Sequence, residues 1–118
     1  MNTKTYEERN GRQISAECEF WRKHNIGNDN YLVYFSDLKD KGWKAWQLDS
    51  TIVFLEDPNG DLSYWDYTNG DGTGLLIVRT KRYPTGGHFG LKSFFNQKDL
   101  RGTFDFFKTH YKSVVEIT

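Results

Sequence analysis

The first part of the chain alternates between apolar and polar positions with a period of two, beginning at Gln13. One set of side chains is Ile14, Ala16, Cys18 and Phe20, and the set on the opposite side is Ser15, Glu17, Glu19 and Trp21. This alternation predicts a half-buried β-strand over residues 13–21. The polar residues 1–11 are expected to be frayed, "HNIGNDN" at 24–30 to form a turn, and "YLVYF" at 31–35 to form a second strand.

The middle of the chain predicts a β-meander. Two interpretations of residues 36–48 stay open: Ser36 caps a short helix that ends at Gly42, or the segment is a loop that leads to a strand at 43–48. "TIVFLE" at 51–56 is an unbroken β-branched and aromatic run, which indicates a central strand. "LSYWDYT" at 62–68 and "LLIVRTKRY" at 75–83 then follow as strands, separated by the turns "DPNGD" and "NGDGTG".

The last part of the chain predicts a loop, a short strand, a helix and a final strand. "PTGGHFG" at 84–90 has the composition of a loop, and "LKSFF" that of a short strand. Asn96 is expected to open a helix whose apolar stripe, spaced at i, i+4, i+7 and i+11, consists of Leu100, Phe104, Phe107 and Tyr111. "SVVEI" is expected to close the chain as an edge strand.

These elements predict an α+β fold. It is an antiparallel, meander-rich β-sheet of about five to seven strands, with one C-terminal helix packed on a face. The chain has 118 residues, which suits a single domain with its own core. Residues 1–118 are therefore expected to form one α+β domain.

The chain is rich in aromatic residues, and its charges are unevenly distributed along the sequence. Aromatic residues make up 17% of the chain, and each buried ring removes a large apolar area from water. The 16 basic and 16 acidic residues cancel, which argues against a generic DNA-coating protein and against an acidic DNA mimic. Residues 1–74 nevertheless hold 8 basic and 13 acidic residues, net −5, and residues 75–118 hold 8 and 3, net +5.

The stretch "LEDPNGDLSYWDYTNGDGTG" at 55–74 has acidic and amide residues between glycines, as ion-binding loops do. Asp57, Asn59 and Asp61 fit the first three ligand positions of an EF-hand, but Leu62 and Thr68 stand where the loop needs glycine and glutamate. A phosphate loop is also disfavoured, because the strand-like "LLIVRT" follows "NGDGTG" where a helix is needed. The stretch is best explained as two hairpin turns, and no metal or cofactor is expected.

Cys18 is the only cysteine, so an internal disulfide is impossible. Its place on the apolar side of the first strand predicts a buried, inert thiol. The sequence contains no apolar run of transmembrane length and no apolar leader at its N-terminus. The expected location is the cytoplasm, without membrane attachment.

Three histidines, His24, His88 and His110, are the candidate bases at neutral pH. None has a recognisable spacing to a nucleophile or a carboxylate, so no catalytic residue is assigned. His88 is the best of the three, because a glycine loop such as "GGHFG" can place a side chain over a ligand.

The basic segment "RTKRY" is the strongest candidate for a binding surface. In a strand, Arg79, Lys81 and Tyr83 share one face, and Arg82 lies opposite. Trp65 and Tyr67 lie on one face of the preceding strand and Tyr64 on the other, so either both faces are buried or one of them binds a partner. The predicted partner-binding set is Arg79, Lys81, Arg82, Tyr83, Trp65, Tyr67, His88 and Phe89.

Three interpretations of this surface remain. It contacts a protein partner, it contacts nucleic acid or a nucleotide, or it is a solvated edge whose charges prevent aggregation. The favoured hypothesis is a small non-enzymatic binding protein of the inhibitor or immunity type, as in phage–host or toxin–antitoxin conflict, that occludes a protein partner. The alternative is a single-stranded nucleic-acid or nucleotide binder, and the third is a small enzyme that acts through the "GGHFG" loop. The oligomeric state stays open.

Overall fold

The structure is a computed structural model that describes residues 19–26, 33–49, 51–67, 76–81, 84–93 and 96–117. The predictions for residues 1–11, Cys18, Arg82 and Tyr83 lie outside these ranges. Within them, the helices are α1 (residues 19–23), α2 (Phe35–Asp40) and α3 (Gln97–His110). The strands are β1 (Val33–Tyr34), β2 (Lys44–Leu48), β3 (Ile52–Glu56), β4 (Leu62–Tyr67), β5 (Leu76–Ile77), β6 (His88–Ser93) and β7 (Val115–Glu116).

The seven strands form one mixed, mostly antiparallel sheet with the order β1-β5-β6-β4-β3-β2-β7. The only parallel pair among them is β1 with β5. The α+β class, the strand number and the C-terminal helix are therefore confirmed. The central position of β3, the start of α3 at Asn96 and the edge strand near the C-terminus are confirmed as well.

The meander is confirmed only for β2, β3 and β4. The prediction that residues 75–83 form the next strand beside β4 is wrong, because β6 pairs with β4 instead, with Trp65 opposite Leu91. The strand β5 is limited to Leu76–Ile77 and lies on the far side of β6. The prediction of a loop at 84–90 is correspondingly wrong for residues 88–90, because they begin β6.

The strand predicted for residues 13–21 is also wrong where the structure describes it, since residues 19–23 are helical. In a helix, Phe20 and His24 lie one turn apart, and their ring centroids are 4.6 Å apart. Trp21 turns inward and is 1% exposed. The packing of these rings outweighs the two-residue alternation that predicted a strand.

The structure contains a part of each of the two interpretations of residues 36–48. A short helix, α2, starts at Phe35, and the strand β2 follows at Lys44. Tyr34 is the N-cap residue and its side chain makes no capping hydrogen bond, so Ser36 is not the cap. Gly42 follows the helix with φ +93°, a conformation in which glycine is favoured.

Hydrophobic cores lie on both faces of the sheet. One face carries the larger core, whose aromatic members include Trp21, Trp43, Trp65, Phe35 and Phe89. The other face carries Phe54 and Leu62, against which Leu100 and Phe104 of α3 pack. Tyr111 does not continue this stripe, because it is the C-cap residue and is 44% exposed. None of the described helices is long and apolar enough to cross a membrane.

Candidate functional site

A basic groove lies where α2 meets the segment that follows β5. Its cavity has a volume of about 470 Å³, and Lys39 and Asp40 of α2 line it together with Arg79 and Lys81. All four of these side chains are exposed. The groove therefore combines charged groups from two segments that are about 40 residues apart in sequence.

Parallel pairing of β1 with β5 brings these two segments together. In a parallel pair, the residues that follow both strands emerge at the same end of the sheet. Here α2 follows β1 directly, and residues 78–81 follow β5. The "RTKRY" pattern indicated Arg79 and Lys81 but not Lys39, because no local pattern reveals a parallel pairing of two-residue strands.

The charges of the groove are only partly balanced. Lys39, Arg79 and Lys81 oppose the single carboxylate of Asp40, which leaves a formal charge of +2. None of the three cations forms an ion pair with another described residue. The Arg79 guanidinium lies over the ring of Tyr34, 5.2 Å from the ring centroid, which orients this cation without neutralising it.

Of the three aromatic residues of the predicted surface that the structure describes, two are buried. Trp65 is 0% exposed and Phe89 is 2% exposed, so both belong to the larger core. The indole Nε1 of Trp65 donates a hydrogen bond to Ser63 Oγ at 2.8 Å, which satisfies its polar atom inside the protein. Tyr67 is 43% exposed and remains available to a ligand.

His88, another residue of the predicted set, does not line the groove. His88 belongs to β6, where it pairs with Ile77, so it is held in the sheet and not in a glycine loop. Its side chain is half-buried and already interacts within the protein. Arg79 and Lys81 also lie outside any strand, so the predicted alternation of faces along "RTKRY" does not apply to them.

A second polar arrangement, which no sequence pattern predicted, joins His24, directly after α1, to the turn after β3. Asp57 is 4% exposed, and its Oδ1 accepts hydrogen bonds from the backbone N–H groups of Asn59 and Asp61, both at 2.9 Å. Its Oδ2 lies 3.6 Å from Nδ1 of His24. Asp57 therefore closes the "DPNGD" turn and anchors it to the first helix.

Burial of His24 lowers the pKa of its imidazole, and the nearby Asp57 carboxylate offsets part of this effect. The ring also packs edge-on against Trp43, with centroids 4.9 Å apart. An imidazole oriented by a buried carboxylate resembles the base of a catalytic dyad. In this protein the pair connects two parts of the fold, because His24 packs against Trp43 and Asp57 accepts hydrogen bonds within its turn.

The chain was compared with protein families, curated proteins and solved structures. No family model, curated protein or solved structure matches it. Its function must therefore be argued from its own geometry.

The calcium-like stretch was also searched for a cluster of metal ligands. Across the described ranges, no three side chains of the His, Cys, Asp or Glu type gather closely enough to hold a metal ion. Asp57, the first residue of the calcium-like stretch, already uses Oδ1 to accept two backbone hydrogen bonds. The basic groove is the candidate site that gathers the predicted cations Arg79 and Lys81.

Proposed function

We propose that the protein is a non-enzymatic binding protein that attaches through the basic groove to an acidic surface of a partner protein. The observation that carries this proposal is the convergence of Lys39, Arg79 and Lys81 on one cavity with a formal charge of +2. Cations without internal counterions favour an external carboxylate and accelerate the encounter with an acidic partner.

The buried aromatics favour a protein partner over single-stranded nucleic acid. Binding of single strands depends on exposed rings on which successive bases stack. Trp65 and Phe89, the rings predicted for this purpose, are inside the core. Phe35, the aromatic residue in the lining of the groove, is 1% exposed, and the neighbouring Tyr34 is half-buried and covered by Arg79. The groove therefore offers charge without a stacking platform.

An inhibitor or immunity protein is the functional type that fits this proposal best. Such a protein acts by covering part of its partner, so it needs a rigid scaffold and a complementary surface but no chemistry of its own. Here α2 and the 78–81 segment are fixed to the sheet through β1 and β5. Lys39 is thus held on a helix, and Arg79 and Lys81 lie shortly after a paired strand, which limits the backbone conformational entropy that is lost on binding.

The decisive experiment is a pull-down from the lysate of the native host with and without nuclease treatment. The bait is the wild-type protein, or a groove variant with Lys39→Glu, Arg79→Glu and Lys81→Glu. A matched control carries Lys44→Glu, Lys92→Glu and Lys98→Glu, three exposed lysines outside the groove, with the same change in net charge. Melting curves of both variants establish that each is folded.

We expect a nuclease-resistant protein partner that binds the wild type and the control but not the groove variant. Association with the purified partner should slow as salt is added, because screening weakens the steering by exposed charges. Equal loss of binding in both variants would show that only net charge matters. A partner that disappears after nuclease treatment would favour the nucleic-acid alternative.

A further inference from the structure

A second cavity lies where the ends of β2 and β4 approach the start of β6. Its volume is about 400 Å³, and it is lined by Gln47, Thr51, Tyr67, Gly87 and Phe89, among others. This volume falls within the range of small-molecule sites, about 300–1,000 Å³. We propose that the cavity binds a small, neutral, flat molecule with an N–H hydrogen-bond donor, of the chemical class of a nucleobase.

The amide of Gln47 supplies the polar contact. This side chain is 5% exposed, and its Oε1 accepts no hydrogen bond from any described residue and is out of reach of bulk water. A buried carbonyl oxygen without a donor is unfavourable. The terminal torsion of a glutamine side chain is soft, so the amide can turn Oε1 towards a donor that enters the cavity.

The rings of Tyr67 and Phe89 make the cavity suitable for a flat ligand. Their centroids are 5.8 Å apart with an interplanar angle of 75°. Phe89 is buried and Tyr67 is exposed, so the Tyr67 ring is the one on which a flat ligand can stack, and Phe89 presents only its edge, beside Gly87. A planar heteroaromatic molecule can stack on one ring and meet the other edge-on, the two preferred aromatic geometries.

The glycines keep this space open. A Cβ atom at Gly87 would lie 3.0 Å from Cε2 of Phe89 and 3.7 Å from Cε2 of Tyr67. At Gly86, which has φ +70°, a Cβ atom would lie 2.8 Å from Cγ2 of Ile77. Any side chain at these positions would therefore press on the rings or on the sheet beneath them.

The ligand is expected to be neutral because the described lining includes no Asp, Glu, Lys, Arg or His. A charge buried without a partner is strongly disfavoured. This separates the cavity from the basic groove, although Val78 of the lining precedes Arg79 of the groove. Val78 is 1% exposed and Arg79 is exposed, so the Val78 side chain is buried and the Arg79 side chain faces solvent.

The test uses uracil and dimethyluracil, in which methyl groups replace both N–H hydrogens. Each is titrated to millimolar concentration into the isotope-labelled full chain and followed by NMR. We expect uracil to shift the amide resonances of Gly86 and Gly87, and dimethyluracil to bind about tenfold more weakly, since it lacks the donor for Gln47. If uracil, cytosine and adenine all leave these resonances unmoved, the proposal is overturned.

Two variants separate a binding role from a structural role. Gln47→Leu removes the acceptor, so we expect about tenfold weaker uracil binding and an unchanged or higher melting temperature, because the unpaired oxygen is gone. Gly87→Ala should also weaken binding, and Gly102→Ala, where a Cβ atom meets nothing within 4 Å, should not. A Gln47→Leu protein that melts earlier and keeps its affinity would show that the amide is structural.

Discussion

Removal of the Asp57 carboxylate should destabilise the protein far more than its position in a surface turn indicates. The side chain is 4% exposed. Its Oδ1 accepts backbone hydrogen bonds from Asn59 and Asp61, both at 2.9 Å, and its Oδ2 lies 3.6 Å from His24 Nδ1. In Asp57→Ala, two N–H groups lose their acceptor and His24 loses its carboxylate neighbour.

The magnitude follows from the two hydrogen bonds. A hydrogen bond to a charged group contributes about 1.5–3 kcal/mol. Asn59 and Asp61 are themselves exposed, so water replaces part of the interaction and the lower value applies to each bond. The free energy of unfolding should therefore fall by about 3 kcal/mol, which is a large part of a typical total of about 5–15 kcal/mol. The melting temperature should fall by roughly 10 °C.

Urea denaturation at neutral pH measures this loss directly. Asp57→Asn retains one acceptor oxygen in the turn, so its expected loss is smaller, about 1 kcal/mol. The matched control is Asp61→Ala, which removes an exposed carboxylate but leaves the backbone N–H of residue 61 in place. If Asp57→Ala and Asp61→Ala unfold at the same urea concentration, Asp57 does not anchor the turn.

Three further outcomes are expected. Phe104 is 1% exposed and Phe106 is 52% exposed, so in urea denaturation Phe104→Ala should cost about 3–5 kcal/mol and Phe106→Ala less than about 0.5 kcal/mol. Burial holds the pKa of His24 below 6.5 in the folded state. The unfolded chain therefore binds more protons, and the free energy of unfolding should fall as the pH drops through 6.5. Melting curves of His24→Gln should lack this part of the pH dependence. Calorimetric titration should detect no micromolar calcium binding at residues 57–68, because Asp57 Oδ1 is already occupied by backbone donors.

Sequence patterns correctly predicted those elements in which the local pattern of residues agrees with the packing in the folded protein. The unbroken apolar run of β3 matches a strand buried on both faces, and Asn96 accepts the capping hydrogen bond from Asp99 N–H that its residue type predicts. The stripe of α3 was predictable as far as Phe107, which is half-buried. Each of these features depends on neighbours within a few residues.

The errors arose where partners distant in sequence decide the structure. Alternation at 13–21 predicted a strand, but Trp21 stacks on Trp65, with centroids 5.1 Å apart, and a helix achieves this contact. The insertion of β6 between β4 and β5 was unpredictable for the same reason. The basic groove depends on the parallel pairing of β1 and β5, so one of its three cations, Lys39, could not be assigned from the "RTKRY" pattern alone.

The two-sided sheet also explains why surplus aromatics are a poor indicator of a binding surface in this protein. Helices cover both faces of its central strands, so neighbouring residues of β4 face different cores: Trp65 lies in the larger one, and Tyr64 packs against Phe54 in the other. A high aromatic content is then needed for folding, and the exposed surface near the groove is left with charges and with Tyr34 beneath Arg79. Binding through such a surface should depend on charge complementarity, which gives fast and salt-sensitive association more than slow dissociation. The rate of association at different salt concentrations is therefore the measurement that distinguishes this groove from an aromatic interface.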